Sequence, residues 1–304
     1  MQSAPATIST AGARVAIPAF IFVWATGYVV AKLAAKDAEA LSFLIVRYLG
    51  VMIMMALLAV LAGARWPNKR DALHIAVAGV MIQAIYLGGV WVSIRMGLSA
   101  GVAALIVNLQ PVLTICLAHW TGERVNARQI AGVAVGFVGV MIVLYAKLAG
   151  VSAQSLGWPT LICFVALLGT TFGVLYQKRF VPHFDLRAGQ AIQFAAATAA
   201  TLPFAWAFES FSIRWTTEVI IAMAWSILVL SGVGITLMFY LLRTGSVTRL
   251  TSTMYVVPGL TAILAWLMFD EKLGGNVIVG MAVTLLGIYL VVAPSRRRPE
   301  TASS

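Results

Sequence analysis

Charge is what this sequence lacks most. Of 304 residues, 21 are Lys or Arg and 10 are Asp or Glu, against 61% apolar residues. A soluble domain carries roughly a quarter charged residues, so the composition excludes an ordinary water-soluble fold. Carboxylates are missing wherever the chain is most apolar. Asp37, Glu39, Asp71, Glu123, Asp185, Glu209, Glu218, Asp270, Glu271 and Glu300 all fall in loops, at the ends of apolar runs or in the tail. Carboxylate proton relays and sodium cages therefore have no candidate inside an apolar interior. The two cysteines, Cys116 and Cys163, lie within apolar runs, which excludes a disulfide framework or thiolate metal cluster and reads them as small packing residues. His74, His119 and His183 are scattered, and there is no phosphate-binding P-loop. No metal, cofactor, ATP hydrolysis or catalytic constellation is expected.

Long apolar runs take the place of charge. A helix needs about 20 mostly apolar residues to cross a bilayer, and ten stretches qualify: 15–34, 41–63, 72–94, 99–120, 128–147, 156–177, 188–208, 217–242, 247–269 and 275–293. Runs such as Val51 to Leu61 are apolar on every side, without the strict alternation of a membrane β-strand. The expected fold is an all-α integral membrane protein of ten transmembrane helices. The net charge of +11 forms no basic stripe of the kind that binds nucleic acid. It punctuates the apolar runs instead. With the N-terminus inside, fourteen Lys and Arg fall on the cytoplasmic side and six on the other, with Arg47 inside the second span. This bias places both termini in the cytoplasm of a multi-pass inner-membrane protein. Residues 1–14 are a polar leading segment, and the basic tail 294–304 is expected to be disordered.

The chain also repeats itself. Arg95-Met96-Gly97 matches Arg243-Thr244-Gly245 at an offset of 148, and Glu123 and Glu271, Gly132 and Gly280, and Gly139 and Gly287 share that offset. Trp24 and Tyr28 match Phe172 and Tyr176 in the same way, while Pro111 and Pro258 are 147 apart. The reading is a five-helix repeat at 15–147 and a second at 148–293. An odd number of spans per copy inverts one relative to the other, a plan that lets a central cavity open to either side in turn.

These same residues carry a family resemblance. Gly97 to Glu123 followed by Gly132-x6-Gly139, Gly245 to Glu271 followed by Gly280-x6-Gly287, and Phe43-x3-Arg47-Tyr48 together resemble the drug/metabolite transporter superfamily in its ten-span EamA branch. Within it, the chain is similar to bacterial exporters of amino acids, aromatic ones included. The resemblance implies export of amino acids across the inner membrane by alternating access, and the missing carboxylates favour facilitated diffusion or exchange over proton coupling. Export of other small metabolites or drugs is the alternative cargo reading, and an integral-membrane enzyme the alternative class. The partners expected are a small-molecule substrate and the lipid bilayer; monomer and oligomer are both open.

Candidate substrate contacts are the polar and aromatic residues that face inward by spacing. On the third span Gln83, Tyr86 and Ser93 share a face at helical periodicity, and on the ninth Thr248, Thr251, Ser252 and Tyr255 do so. Trp24, Tyr28, Trp91 and Tyr176 supply rings for an apolar or aromatic side chain, and Gln83, Asn108, Ser252 and Tyr255 supply hydrogen bonds for the amino and carboxylate ends, with no full counter-charge. Pro111 and Pro258 would each remove one helical hydrogen bond and bend the fourth and ninth spans, freeing the carbonyls of Val107 and Met254. Arg47, about 9 Å into the second span, is expected to snorkel outward, with pairing to a substrate carboxylate as the alternative. His74 reads as interfacial, and the glycines of the fifth and tenth spans as close-packing faces.

Overall fold

The computed structural model describes residues 10–110, 113, 114, 117, 127–148, 153–243, 256–270 and 274–292. Among these, ten helical rods follow one another: α1 (Thr10–Ala34), α2 (Ala40–Leu61), α3 (Lys69–Gly79, Val80–Leu87 and Gly88–Arg95 in unbroken succession), α4 (Ala100–Val107), α5 (Ala127–Leu148), α6 (Ala153–Phe180), α7 (Leu186–Phe208), α8 (Thr217–Ala224, Trp225–Val233 and Gly234–Arg243), α9 (Val256–Phe269) and α10 (Gly275–Val292). The helices start where side chains can satisfy unpaired backbone N–H groups. Asn68 accepts from Asp71 N at the start of α3, Ser99 from Val102 N at α4, Asp185 from Arg187 N at α7 and Thr216 from Val219 N at α8.

Among the described residues, six helices are long and apolar enough to cross a bilayer: Val15–Ala34, Ala40–Leu61, Lys69–Arg95, Gly157–Phe180, Leu186–Phe208 and Thr217–Leu237. Ile130–Ile142, Gly259–Phe269 and Gly275–Leu290 are shorter apolar helices. Large apolar side chains stand outward along them, such as Ile53, Leu57 and Leu61 on α2 and Leu202 and Trp206 on α7. Such a surface fits hydrocarbon and not water.

The middle segments of α3 (Val80–Leu87) and α8 (Trp225–Val233) are π-helical. An i→i+5 register is rare and is frequently found at functional sites. Here it also changes which residues share a face, so the stripe of Gln83, Tyr86 and Ser93 expected at a 3.6-residue period does not carry through α3. Ser93 is fully buried and donates to the Gly89 carbonyl at 2.7 Å. The α3 segment lies against Gly169 and Gly173 of α6, where a Cβ would stand 2.7 Å from Ile85 Cγ2 and 2.6 Å from Ile82 Cγ1. Glycine at that spacing lets the widened turn sit close.

Packing is shared between the halves. α2 lies along α7, and α3 along α6 and α7; α1 packs on α8 and α9, α4 on α6 and α9, and α5 lies along α10. The α5–α10 crossing is glycine on glycine. A Cβ at Gly139 would collide with the backbone N of Thr284 and one at Gly287 with the backbone of Gly136. The close-packing faces read from the sequence thus meet each other within one chain.

The ends of the bundle are held differently. At one end the Glu209 carboxylate accepts from Leu41 N, Ser42 N and Ser42 Oγ at 2.9, 2.7 and 2.7 Å, capping α2. Glu39 in turn accepts from Ser210 N and Oγ and Ser212 N at 2.9, 3.1 and 2.8 Å. Burial pushes the Glu39 carboxyl up, but these bonds and nearby Arg95 outweigh it and hold it below the usual carboxylate range. Arg95 donates to the carbonyls of Ala35 and Ala38, and Arg214 pairs with Asp37 at 2.6 Å. At the opposite end, His74 and Tyr176 share a 2.8 Å hydrogen bond and both rings pack on Phe180.

Candidate substrate site

Tyr28 on α1 and Tyr86 in the π segment of α3 bring their side chains close enough to interact. Tyr28 is buried and Tyr86 half-buried. They lie about 9 and 13 Å below the ends of their helices on the side of the Glu39–Glu209 contacts, well inside the apolar zone. The buried thiol of Cys163 on α6 is close enough to interact with both. One turn back along α1, Trp24 is half-buried with its ring 5.2 Å from that of Phe20. Between these two rings, Thr26 donates to the Val23 carbonyl and accepts from Trp225 Nε1 at 2.9 Å, tying α1 to the start of the α8 π segment. Thr261 of α9 donates to the Ala25 carbonyl at 3.2 Å. α1 is thus pinned on three sides at the level of its two substrate candidates.

On α2, two consecutive residues reach the two π segments. The Tyr48 hydroxyl donates to the Gln83 carbonyl at 2.7 Å, a carbonyl that the i→i+5 register also presents to Gly88 N. Arg47 points a terminal nitrogen at Ser231 Oγ at 3.5 Å, and Ser231 donates to the Ser226 carbonyl at 3.0 Å. Arg47 is only 6% exposed. This corrects the snorkelling expectation. The depth of the residue in its helix was read properly, but α3, α7 and α8 pack around α2 and cover the side chain.

The remaining sequence candidates are distributed as follows. Gln83 is half-buried and its side chain makes no hydrogen bond among the described residues. Trp91 is 3% exposed and stacked on Phe43 at 4.7 Å, inside the packed core. Asn108 donates to its own helix at the Ala104 carbonyl, 2.8 Å away, and Thr114 likewise to Gln110; neither is turned to the Val107 carbonyl. Tyr176, the sequence counterpart of Tyr28, sits in the His74 cluster and not beside Tyr86. Pro111, Ser252 and Tyr255 lie outside the described residues, and Pro258 falls within α9. The structure therefore brings Tyr28 and Tyr86 near each other and Tyr86 near Arg47, and adds Tyr48 on the Gln83 carbonyl and Ser231 on Arg47; Trp24 lies one turn from Tyr28 along α1. The one signal for these additions in the sequence is an arginine within an apolar run that holds no acid.

Membrane-length helices enclosing aromatic and polar groups at mid-depth define a polytopic membrane protein with a built interior, as distinct from a simple anchor. The chain belongs to the EamA-like transporter family, which matches it twice, over residues 14–145 and 157–293. It is a membrane transporter. Among its relatives, an uncharacterized inner membrane transporter of Escherichia coli K12, YedA, is 24% identical over 92% of this chain and 94% of its own length. A probable amino-acid metabolite efflux pump of the same strain is 24% identical over 91% and 94%. An uncharacterized transporter of Archaeoglobus fulgidus is 24% identical over 90% and 94%. A solved crystal structure superposes with a TM-score of 0.65 at 16% identity, over 95% of this chain and all of the other; this likeness concerns the fold alone.

Proposed function

We propose that the protein is a secondary transporter that exports aromatic and other neutral amino acids across the inner membrane by alternating access, as facilitated diffusion or exchange. The observation that carries this reading is the Tyr28–Tyr86 pair. It bridges α1 and α3 at mid-depth, with Tyr86, Gln83 and Trp24 only partly covered although they adjoin buried core. A partly open, ring-lined site next to polar groups suits a solute with an apolar side chain and a polar head. The likeness to a probable amino-acid metabolite efflux pump supports this choice of cargo. The ten acidic residues lie in loops, at the ends of the apolar runs or in the tail, which favours exchange over proton coupling.

The ten rods are read as ten spans in two inverted halves, 15–147 and 148–293. In support, the family match falls once on each half, and exchanging halves reproduces the packing: α1 against α8 and α9 corresponds to α6 against α3 and α4. A counterflow experiment tests the function. Proteoliposomes preloaded with unlabelled phenylalanine should transiently accumulate labelled phenylalanine above equilibrium; a channel would give linear, non-saturable flux, and an enzyme none. Orientation is tested in a Cys116→Ala, Cys163→Ala background. Cysteines at Lys36 and Gly275 should react with an impermeant maleimide on intact cells, and one at Ala62 should be protected. The reverse pattern would turn the protein over.

A further inference from the structure

Arg47 is the eighth residue of α2, about 10 Å from the helix start, and nearly all of its surface is covered. A guanidinium has five N–H donors and keeps its charge. Among the described residues Arg47 makes one long hydrogen bond, to Ser231 Oγ at 3.5 Å, and its Nε is buried with no partner. The titratable groups around it are Tyr48 and Tyr86, with Tyr28 and Cys163 beside Tyr86; all are neutral in their ordinary state at pH 7. The carboxylate ion pairs of the described residues, Arg214–Asp37 and Arg187–Asp185, are at helix ends. Ser226 Oγ, one π turn from Ser231, is also buried without a partner. A buried charge lacking its counter-ion is among the most costly features a fold can keep, and inside a membrane it marks a functional site.

We propose that Arg47 anchors a carboxylate of the cargo, which supplies the missing counter-charge through paired N–H···O bonds and lies beside the Tyr28–Tyr86 pair. This rests on the transporter reading and sharpens it: the cargo class is a monocarboxylate, zwitterionic amino acids included. One guanidinium matches one carboxylate in charge and in its two-pronged geometry. A phosphate carries close to two negative charges and would remain half-neutralised, because no second Lys or Arg lies within the apolar run of α2 or in the π segments. With no carboxylate among the described residues at this depth, an amine without an acid group has nothing to bind and meets a like charge.

The test is a ligand series on the detergent-purified full chain, read by calorimetry: L-phenylalanine, 3-phenylpropionate, L-phenylalaninamide and phenethylamine. The first two should bind, and the amide and amine at least about tenfold more weakly, a difference of roughly 1.4 kcal/mol. Arg47→Gln should remove the acid-over-amide preference and leave amide binding unchanged; Arg47→Lys should restore part of it. If Arg47→Gln does not fold, Ser231→Ala takes its place, with tighter carboxylate binding expected because the competing contact is gone. The proposal falls if no carboxylate binds the wild type, if the amide binds as well as the acid, or if the preference survives Arg47→Gln (or Ser231→Ala leaves carboxylate affinity unchanged). The two readings separate cleanly. Arg47-dependent binding of 3-phenylpropionate with no flux of any amino acid keeps the anchor and sinks the amino-acid exporter. Undiminished phenylalanine counterflow in Arg47→Gln keeps the exporter and sinks the anchor.

Discussion

Trp24→Ala and Tyr86→Ala are each expected to cut tryptophan and phenylalanine counterflow by about tenfold, while threonine flux falls by less than about threefold. Ring-to-ring contact adds about 0.5–1.5 kcal/mol beyond area burial, and each truncation also removes apolar area worth about 1.5–3 kcal/mol when fully covered. Both rings are only half-buried, so a bound side chain could cover the rest, and that gain exists only for a cargo with a large apolar group. Tyr86→Phe isolates the hydroxyl. It keeps the ring and deletes the hydroxyl that interacts with Tyr28, so selectivity for aromatic cargo should survive it while rates drop for every substrate alike. Equal losses for all cargos in the two alanine variants, or no loss at all, would make these rings structural.

A single methyl group at the α5–α10 crossing should have the largest effect on stability. Gly139→Ala and Gly287→Ala each place a Cβ against backbone: Gly139 faces Thr284 N and Gly280 O, and Gly287 faces Gly136 and Gly132 O. Backbone cannot rotate away as a side-chain tip can, so the helices must separate. Overpacking of this kind costs about 1–3 kcal/mol, or roughly 2–10 °C in Tm, more than the fraction of a kcal/mol that alanine gains in helix propensity. The loss is concentrated because α5 is the principal packing partner of α10. Gly274→Ala, where a Cβ meets nothing within 4 Å, is the matched control. Unchanged Tm in both crossing variants, or a change in oligomeric mass in their place, would show that these faces serve contacts between molecules.

The sequence located the helices well because a span announces itself by composition alone. The runs 41–63, 128–147 and 188–208 became Ala40–Leu61, Ala127–Leu148 and Leu186–Phe208. What misled the residue-level reading was register and long-range cover. A period of 3.6 put Gln83, Tyr86 and Ser93 on one face, but the π segment at Val80–Leu87 breaks that arithmetic, and apolar residues such as Ile82 and Ile85 carry no mark of it. The match of Tyr28 to Tyr176 at one offset implied matching surroundings. The environments differ because Tyr86 lies beside the first and His74 is hydrogen-bonded to the second. Trp91 looks like any intramembrane aromatic until Phe43 is found stacked on it. Arg47 was visible as an anomaly, but whether it reached water depended on helices as far as 184 residues away in the chain.

The positively charged side chain of α2 has no twin. At the offset of 148 that relates the halves, the place of Arg47 and Tyr48 is taken on α7 by Ala195 and Ala196. In the proposed arrangement of two halves, α2 therefore carries a buried guanidinium where the matching positions of α7 carry only methyl groups. Two states related by exchanging the roles of the halves would surround the guanidinium with different neighbours, since only α2 brings it. A ligand moves such an equilibrium only by its difference in affinity for the two states. On the proposed alternating-access reading, an acid bound at Arg47 would therefore weight the two states unequally and give transport a preferred side.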